Sequence, residues 1–269
     1  MVLKIGVVGC GAIGTEIAKA IDRGGISADL VAVYDSNQEY AEELVDGLSI
    51  CPKIADLEEL VDLADLVVET ASQKAVPTVA RAALEKGRSL MIMSVGALLD
   101  RDLYDNLERL ARENDCKIYI PSGAISGLDG LKSAGIGRIR KITLTTTKNP
   151  AGFVGVPYIQ EKGIDLKTLS GPMVIFEGPA EEAVKAFPAN VNVAATLSLI
   201  AEGGVEVRIV ADPRIAVNMH QITAEGDFGR ITTRVENVPS PSNPKTSYLA
   251  ALSAIATLRS IVEPVKIGT

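Results

Sequence analysis

Val2-Leu-Lys-Ile-Gly-Val-Val-Gly-Cys-Gly-Ala-Ile-Gly14 opens with an apolar run, passes through a glycine-rich turn and ends on the first residues of a helical pattern. The run Val2 to Val8, interrupted only by Lys4 and Gly6, is too short for an amphipathic helix and reads as a buried strand. From Ala12 onward Ile13, Ile17 and Ile21 recur three or four residues apart, as on one helix face. A strand therefore becomes a helix across Gly9-x-Gly11-x-x-Gly14. The first glycine permits the tight turn, the second lets backbone approach a pyrophosphate, and the third lets helix pack closely on strand, with the phosphates at the positive end of the helix. Leu30-Val-Ala-Val-Tyr-Asp35 reads as a second strand ending in an acid 21 residues beyond Gly14, the place where a ribose diol is held. These features together predict a dinucleotide site formed by Gly9, Gly11, Ala12, Ile13, Gly14 and Asp35. Asp35 favours NAD over NADP, because a 2′-phosphate would sit against its charge, while Ser36 and Asn37, with no Arg following, leave NADP open.

Strand and helix patterns alternate as far as residue 122. Helices are expected at Glu39 to Leu48, Leu57 to Leu63, Ala75 to Lys86 and Asp100 to Asn114. Strands are expected at Leu66 to Thr70, Ser89 to Ser94 and Lys117 to Ile120, and the short segment around Ile50 to Lys53 reads as a strand or an extended connection. Repeated units of this length imply an α/β fold with a doubly wound parallel (Rossmann) sheet, whose ligands bind at the carboxyl ends of the strands. Those ends carry small or polar residues, in Glu69-Thr-Ala-Ser-Gln73, Ser94-Val-Gly96 and Pro121-Ser-Gly-Ala124. Ala71, Ser94 and Gly96 are accordingly expected to lie along the coenzyme, where short side chains let ribose and nicotinamide approach the backbone.

Composition narrows the class. A chain of 269 residues, 47% hydrophobic, buries a substantial core. Its net charge of −7 argues against nucleic acid as a partner, since a phosphate-tracking surface needs a basic excess. No basic and apolar leader precedes the first strand, and no uninterrupted apolar stretch approaches the about 18 to 20 residues of a membrane span, so a soluble, cytoplasmic protein is expected. Cys10, Cys51 and Cys116 are odd in number and form no C-x-x-C pair, so they read as small buried apolar residues of a reducing compartment. One histidine is too few for an ordinary zinc site, and no metal is expected.

Beyond Pro121 the texture changes. A loop at Ser126 to Gly130 and a short helix at Leu131 to Gly137 precede strands at Ile139 to Thr147, Val174 to Glu177, Val205 to Val210, His220 to Ala224 and Phe228 to Val235. Helical patterns lie at Pro179 to Phe187 and Val193 to Ile200. This predicts a second α+β domain of mainly antiparallel sheet with helices on one face. Pro244 is placed to begin a helix capped by Asn243, and the helix from Lys245 to Ile261 carries an apolar stripe that needs a surface. The first sheet is the expected host. The dinucleotide-binding domain is therefore drawn as 1–122 plus 242–269, and the substrate, catalytic and dimerisation domain as 123–241. The second sheet's uncovered face predicts a homodimer.

Several stretches together carry a resemblance. Gly9-Cys-Gly-Ala-Ile-Gly14, Ser94-Val-Gly-Ala97, Pro121-Ser-Gly-Ala-Ile-Ser-Gly127, Phe187-Pro-Ala-Asn-Val-Asn-Val-Ala194 and Asn218-Met-His-Gln-Ile-Thr-Ala-Glu-Gly-Asp-Phe-Gly229 resemble the L-aspartate dehydrogenase family through almost the whole chain. The resemblance implies oxidation of L-aspartate to iminoaspartate with NAD or NADP, a product that feeds NAD biosynthesis or hydrolyses to oxaloacetate and ammonia. It also implies coenzyme contacts at Ala124 and Asn190, and an active-site histidine at His220.

The residues alone support such chemistry without reaching the substrate. Hydride removal from an α-carbon requires a neutral amine and a proton acceptor, a role that histidine, with a reference pKa of about 6.5, suits near neutrality. Position alone leaves His220 open to a structural role, and Asn218, Thr223 and Glu225 stand as residues able to orient its ring or the substrate. Arg208, Arg214 and Arg230 are unassigned candidates for the substrate carboxylates. Asn190 and Asn192 precede a helix, where either can serve as its cap or hold a carboxamide. Two rival readings remain. A reductase of the dihydrodipicolinate or sugar type shares the first half, but the paired histidines with a following lysine and the Glu-Lys-Pro of those groups do not occur. A non-catalytic NAD sensor would bind coenzyme without turnover.

Overall fold

A computed structural model describes residues 2–187, 191–201, 204–240 and 243–268. In chain order the elements are β1 (Leu3–Val8), α1 (Ala12–Asp22), β2 (Ala28–Tyr34), α2 (Gln38–Asp46), β3 (Lys53–Ile54), α3 (Leu57–Leu63), β4 (Leu66–Glu69), α4 (Val76–Glu85), β5 (Ser89–Ile92), α5 (Arg101–Glu113) and β6 (Ile118–Tyr119). There follow α6 (Leu128–Gly135), β7 (Ile139–Lys148), α7 (Pro157–Glu161), β8 (Met173–Pro179), α8 (Ala180–Ala186), α9 (Val191–Ser198), β9 (Val205–Ala211), β10 (Asn218–Gly226), β11 (Gly229–Asn237), β12 (Pro239–Ser240), β13 (Asn243–Ser247) and α10 (Tyr248–Val262). The chain divides into two compact units, Met1–Gly123 with Ala250–Ile267, and Ala124–Leu249 with Gly268–Thr269. No helix among the described residues is long and apolar enough to cross a membrane.

The first unit is a six-stranded parallel sheet in the order β3-β2-β1-β4-β5-β6. The chain runs outward from β1 to β3 and then returns to β4, so the order reverses between β1 and β4, the place where such sheets bind ligands. Strands covered on both faces must be apolar throughout, and β4 is buried at every position. One face packs Ile5, Val7, Val33, Val68 and Met91 against Ile17 and Ile21 of α1 and against Ala254 and Leu258 of α10. The apolar stripe read near the end of the chain thus closes the first sheet. Helix starts follow local chemistry: Asn37, Asp56 and Asp100 each accept a first-turn amide, at 3.1, 2.9 and 3.1 Å, which satisfies donors that a helix leaves unpaired.

The second unit holds a five-stranded sheet in the order β11-β10-β7-β9-β8, antiparallel except for the pair β7 and β9. Ile142, Leu144, Val205, Val207, Ile209, Ile222 and Ala224 share its inner face, under Ala183 of α8, Ala194 and Leu197 of α9, and a cluster of rings. Phe153 and Phe187 meet edge to face at 5.9 Å. The other face alternates outward with Thr143, Thr145, Arg208, Gln221, Thr223 and Arg234, the period of two that a half-covered sheet requires.

Four local expectations are corrected. The third strand is Lys53–Ile54, because Asp22 takes the Ser49 and Ile50 amides at 3.0 and 2.9 Å and turns that segment away from the sheet. The helix expected from Leu131 begins at Leu128, straight after Gly127 at φ +83°. Gly130 inside it costs about 1 kcal/mol in propensity, offset by burial of Leu131 and Ala134. Residues 243–247 form a strand rather than a capped helix start. Pro239 pairs with Ser247 and Ser240 with Asn243, and a proline's missing donor is tolerated in such a two-stranded edge. Cys51 is exposed, unlike buried Cys10 and Cys116.

Candidate functional sites in the two units

In the first unit the carboxyl ends of β1, β2, β4 and β5 are bound to one another by side chains that act on backbone. Gly9 has φ +98°, and a Cβ there would lie 2.6 Å from the Ala71 amide nitrogen. A Cβ on Gly14 would lie 2.0 Å from the Gly9 carbonyl oxygen, so α1 sits directly on the turn. Gly11 differs, since a Cβ there would meet no atom within 4 Å. The first turn of α1, Ala12, Ile13 and Gly14, starts at Gly11 with no side-chain cap and no acidic residue. A glycine that open space does not demand, beside an uncapped helix start, fits a phosphate group approaching the backbone.

Asp35 immediately follows β2. Its carboxylate accepts the Cys10 amide at 2.8 Å and the Asn37 amide at 2.9 Å, so it anchors the glycine turn as well as standing where a ribose would be held. Thr70 donates its hydroxyl to the Gly9 carbonyl at 2.6 Å. Glu69, fully buried, accepts the Ala71 amide at 2.8 Å, the Ser94 hydroxyl at 2.8 Å and the Ser94 amide at 3.0 Å. Burial raises its pKa, against the opposing pull of the Ser94, Ala71 and Ser72 donors. Ser94 thus turns inward, and buried Gly96 lies in the 3-10 turn Val95–Leu99 that follows. The Cys10 thiol is pushed up to about 12 by burial and then by the Asp35 charge, which leaves it without thiolate reactivity.

In the second unit His220 is 6% exposed on the inner face of β10, in register with Thr146 of β7. Its Nδ1 shares a 3.0 Å hydrogen bond with Thr146 Oγ1, and among the described residues Nε2 has no hydrogen-bond partner. Burial, and then the positive charge of Lys148, lower its pKa to about 4. Burial also lowers that of Lys148. His220 is therefore a neutral imidazole at pH 7, with one nitrogen fixed and the other available.

Two of the three polar residues able to orient His220 or the substrate lie elsewhere. Thr223 and Glu225 are on the opposite face, odd offsets along one strand, and Glu225 meets Arg230 at 3.5 Å. Asn218 shares the His220 face. Arg208 and Arg214 pair with Glu177 and Asp212, at 3.4 and 2.9 Å. The Ala124 carbonyl accepts Asn237 Nδ2 at 3.0 Å. Asn190 lies outside the described residues, and Asn192 lies within α9 rather than at its cap. Thr70, Glu69, Thr146 and Lys148 were not singled out by sequence reasoning, because each acts across strands.

A parallel sheet that reverses at β1 and β4, with a glycine turn and an uncapped helix at that point, defines a dinucleotide-binding unit of the dehydrogenase kind. Residues 9–121 match the model described as the NAD binding domain of homoserine dehydrogenase, and residues 129–261 that described as aspartate dehydrogenase, C-terminal. An L-aspartate dehydrogenase of Methanosarcina barkeri is 54% identical over 270 residues, covering 99% of this chain and 100% of that protein, and one of Methanococcoides burtonii matches equally well, at 54%. A crystal structure of aspartate dehydrogenase from Thermotoga maritima superposes over 100% of both chains with a TM-score of 0.76 and 26% identity. The chain belongs to the L-aspartate dehydrogenase family.

The depressed His220 pKa has a consequence for stability. The folded value, about 4, lies below the unfolded one of about 6.5, so the unfolded chain binds more protons between them. The contribution is present above pH 6.5 and is lost as pH falls toward 4, amounting to about 3 kcal/mol over that window. Urea unfolding at pH 7 and at pH 4.5 should show the wild type losing more stability on acidification than His220→Asn. Equal losses would contradict the neutral, buried state.

Proposed function

We propose that this protein is an NAD(P)-dependent L-aspartate dehydrogenase that oxidises L-aspartate to iminoaspartate, which hydrolyses to oxaloacetate and ammonia or supplies NAD biosynthesis. The observation that carries the reading is His220: the chain's single histidine, buried, neutral and tethered through Nδ1, on a family member's second unit. Membership of the family supplies the substrate.

The coenzyme is assigned to the first unit. Gly9, Gly11, Ala12, Ile13 and Gly14 present the turn and helix start to the pyrophosphate, Asp35 takes the adenosine ribose, and Ala71, Ser94 and Gly96 line the nicotinamide half, with Ala124 and Asn190 as further contacts. NAD or NADP, when bound, supplies the hydride acceptor. Glu69, with its donors, keeps the ends of β4 and β5 in one arrangement, and Thr70 keeps the glycine turn on β4. Residues 1–122 with 242–269 are assigned to coenzyme binding, and 123–241 to substrate binding, catalysis and dimerisation.

The acid/base role is assigned to His220. Aspartate arrives as an ammonium, which must lose a proton before its nitrogen lone pair can form the C=N bond as hydride leaves the α-carbon. Neutral Nε2 takes that proton, and the same nitrogen serves when water adds to the imine carbon. Thr146 holds the ring so that Nε2 is the reactive position. The odd, unpaired cysteines support a reducing, cytoplasmic setting. The polar alternation along the second sheet's other face supports a homodimer.

A general acid/base contributes about a hundredfold to ten-thousandfold in rate. His220→Ala should lower kcat at least about a hundredfold with coenzyme affinity little changed, and His220→Asn should do no better. Retention of most activity by the Asn variant would remove proton transfer from its role. Asp35→Asn keeps an acceptor for the Cys10 amide but removes the charge, so the ratio of kcat/KM for NADP to that for NAD should rise, and an unchanged ratio would remove Asp35 from the ribose site. Light scattering should give twice the chain mass at micromolar concentration; a stable monomer would refute the dimer.

A further inference from the structure

On the inner face of the second sheet β7 presents Ile142, Leu144, Thr146 and Lys148 in succession, and antiparallel β10 presents Ala224, Ile222, His220 and Asn218 beside them. The apolar halves of the two series lie together in the core, and the polar halves lie together at its end. Thr146 stands opposite His220, which makes Lys148 the diagonal neighbour, at about 7–8 Å between Cα atoms and within a lysine's reach. The Lys148 stem runs past Gly152, where an added Cβ would lie 3.7 Å from its Cδ. It is half-buried, and among the described residues its ammonium meets no carboxylate. Arg208, Arg214 and Arg230, the other cations considered for substrate binding, each already face one. A half-buried ammonium without a counter-ion carries a desolvation cost that an arriving anion removes.

We propose that Lys148 binds one carboxylate of the dicarboxylate substrate and that this anion, by offsetting the ammonium charge, restores basicity to His220 once substrate is bound. The inference rests on His220 being the acid/base of aspartate oxidation. In the free protein the imidazole is neutral but a weak base, held down by burial and by Lys148. A ligand's negative charge acts on the second influence, and a carboxylate at Nζ offsets it. The other neighbours do not compete. β11 sets uncharged Val235 opposite His220, and β9 brings Ile209 and Ala211 alongside Thr146 and Lys148. The turn Pro150–Phe153 and α9 carry no charge. Asp212 is taken by Arg214, while Glu181, Glu182 and Lys185 of α8 and Asp129 and Lys132 of α6 are exposed.

Because the chain has one histidine, an NMR titration of imidazole reports on His220 alone. Succinate, a dicarboxylate with no amine to oxidise, should raise the wild-type midpoint by about one unit or more. In Lys148→Met the free midpoint should already be higher and succinate should no longer move it, whereas Lys148→Arg should keep both behaviours. In turnover, Lys148→Met should raise KM for aspartate about tenfold or more without changing KM for coenzyme, and should move the acid limb of kcat/KM to higher pH. An equal succinate response in wild type and Lys148→Met, or an unchanged aspartate KM in that variant, would overturn the assignment. Should Lys148→Met fail to fold, Lys148→Gln takes its place, and absence of any succinate response in the wild type is decisive against. If the wild type turns over no aspartate while succinate still acts through Lys148, the activity reading falls and the anion site stands.

Discussion

Everything at the coenzyme half of this molecule depends on one close approach, that of α1 to the turn at Gly9. A carbon placed on Gly14 would lie 2.0 Å from the Gly9 carbonyl oxygen, far inside any allowed contact, so the residue is fixed by exclusion. The attractive terms are individually small. The hydrogen bonds from Thr70 to Gly9 and from the Cys10 amide to Asp35 are each worth about 1 to 3 kcal/mol net, the charge-assisted one at the upper end. Such bonds select among arrangements that sterics permits, and here sterics permits very few. The turn is therefore placed by glycine and then held by polar side chains from β2 and β4.

Two buried titratable side chains illustrate how burial serves different ends. Glu69 is wholly buried, yet its oxygens accept from Ala71 and, twice, from Ser94, which makes it a brace between two strand ends. His220 is nearly as buried but has one nitrogen tied to Thr146 and the other without a partner among the described residues. A ring nitrogen without a protein partner is open to a ligand. The contrast marks the first as structural support and leaves the second open to a ligand, although both have shifted pKa values.

The legible part of the chain is the part whose signals are local. Periodicity and the glycine spacing gave β1, α1, β2 and the alternation to residue 122 because each is encoded within a dozen residues. The helix at Leu128 was hidden by Gly127 and Gly130, whose loop character is overridden by core burial of Leu131 and Ala134. The strand at Asn243–Ser247 was hidden by prolines that a helix start and an edge ribbon tolerate equally. Thr146 and Lys148 lie more than seventy residues from His220 in sequence, and only the β7 to β10 register brings them together. Strand parity separates the three polar neighbours of His220: Thr223 and Glu225 stand at odd offsets and so face away from it, whereas Asn218, two residues back, faces the same side.

The pairing of histidine with a cation reverses the more familiar arrangement in which a carboxylate supports the imidazole. A carboxylate partner stabilises the protonated ring and makes a strong base at rest. Burial with Lys148 does the opposite: a folded value of about 4 corresponds to about 3 kcal/mol held against the protonated form. An imidazole so placed stays unprotonated well below neutral pH, at the expense of basicity. The share of the deficit that Lys148 causes can be offset by a negative charge brought in from outside, since Asp212, which follows β9, and Glu225, within β10, are already paired. A substrate carrying two carboxylates has such a charge to place there while its second carboxylate is still free for other contacts, so the electrostatics of the site and the dianionic character of aspartate point in the same direction.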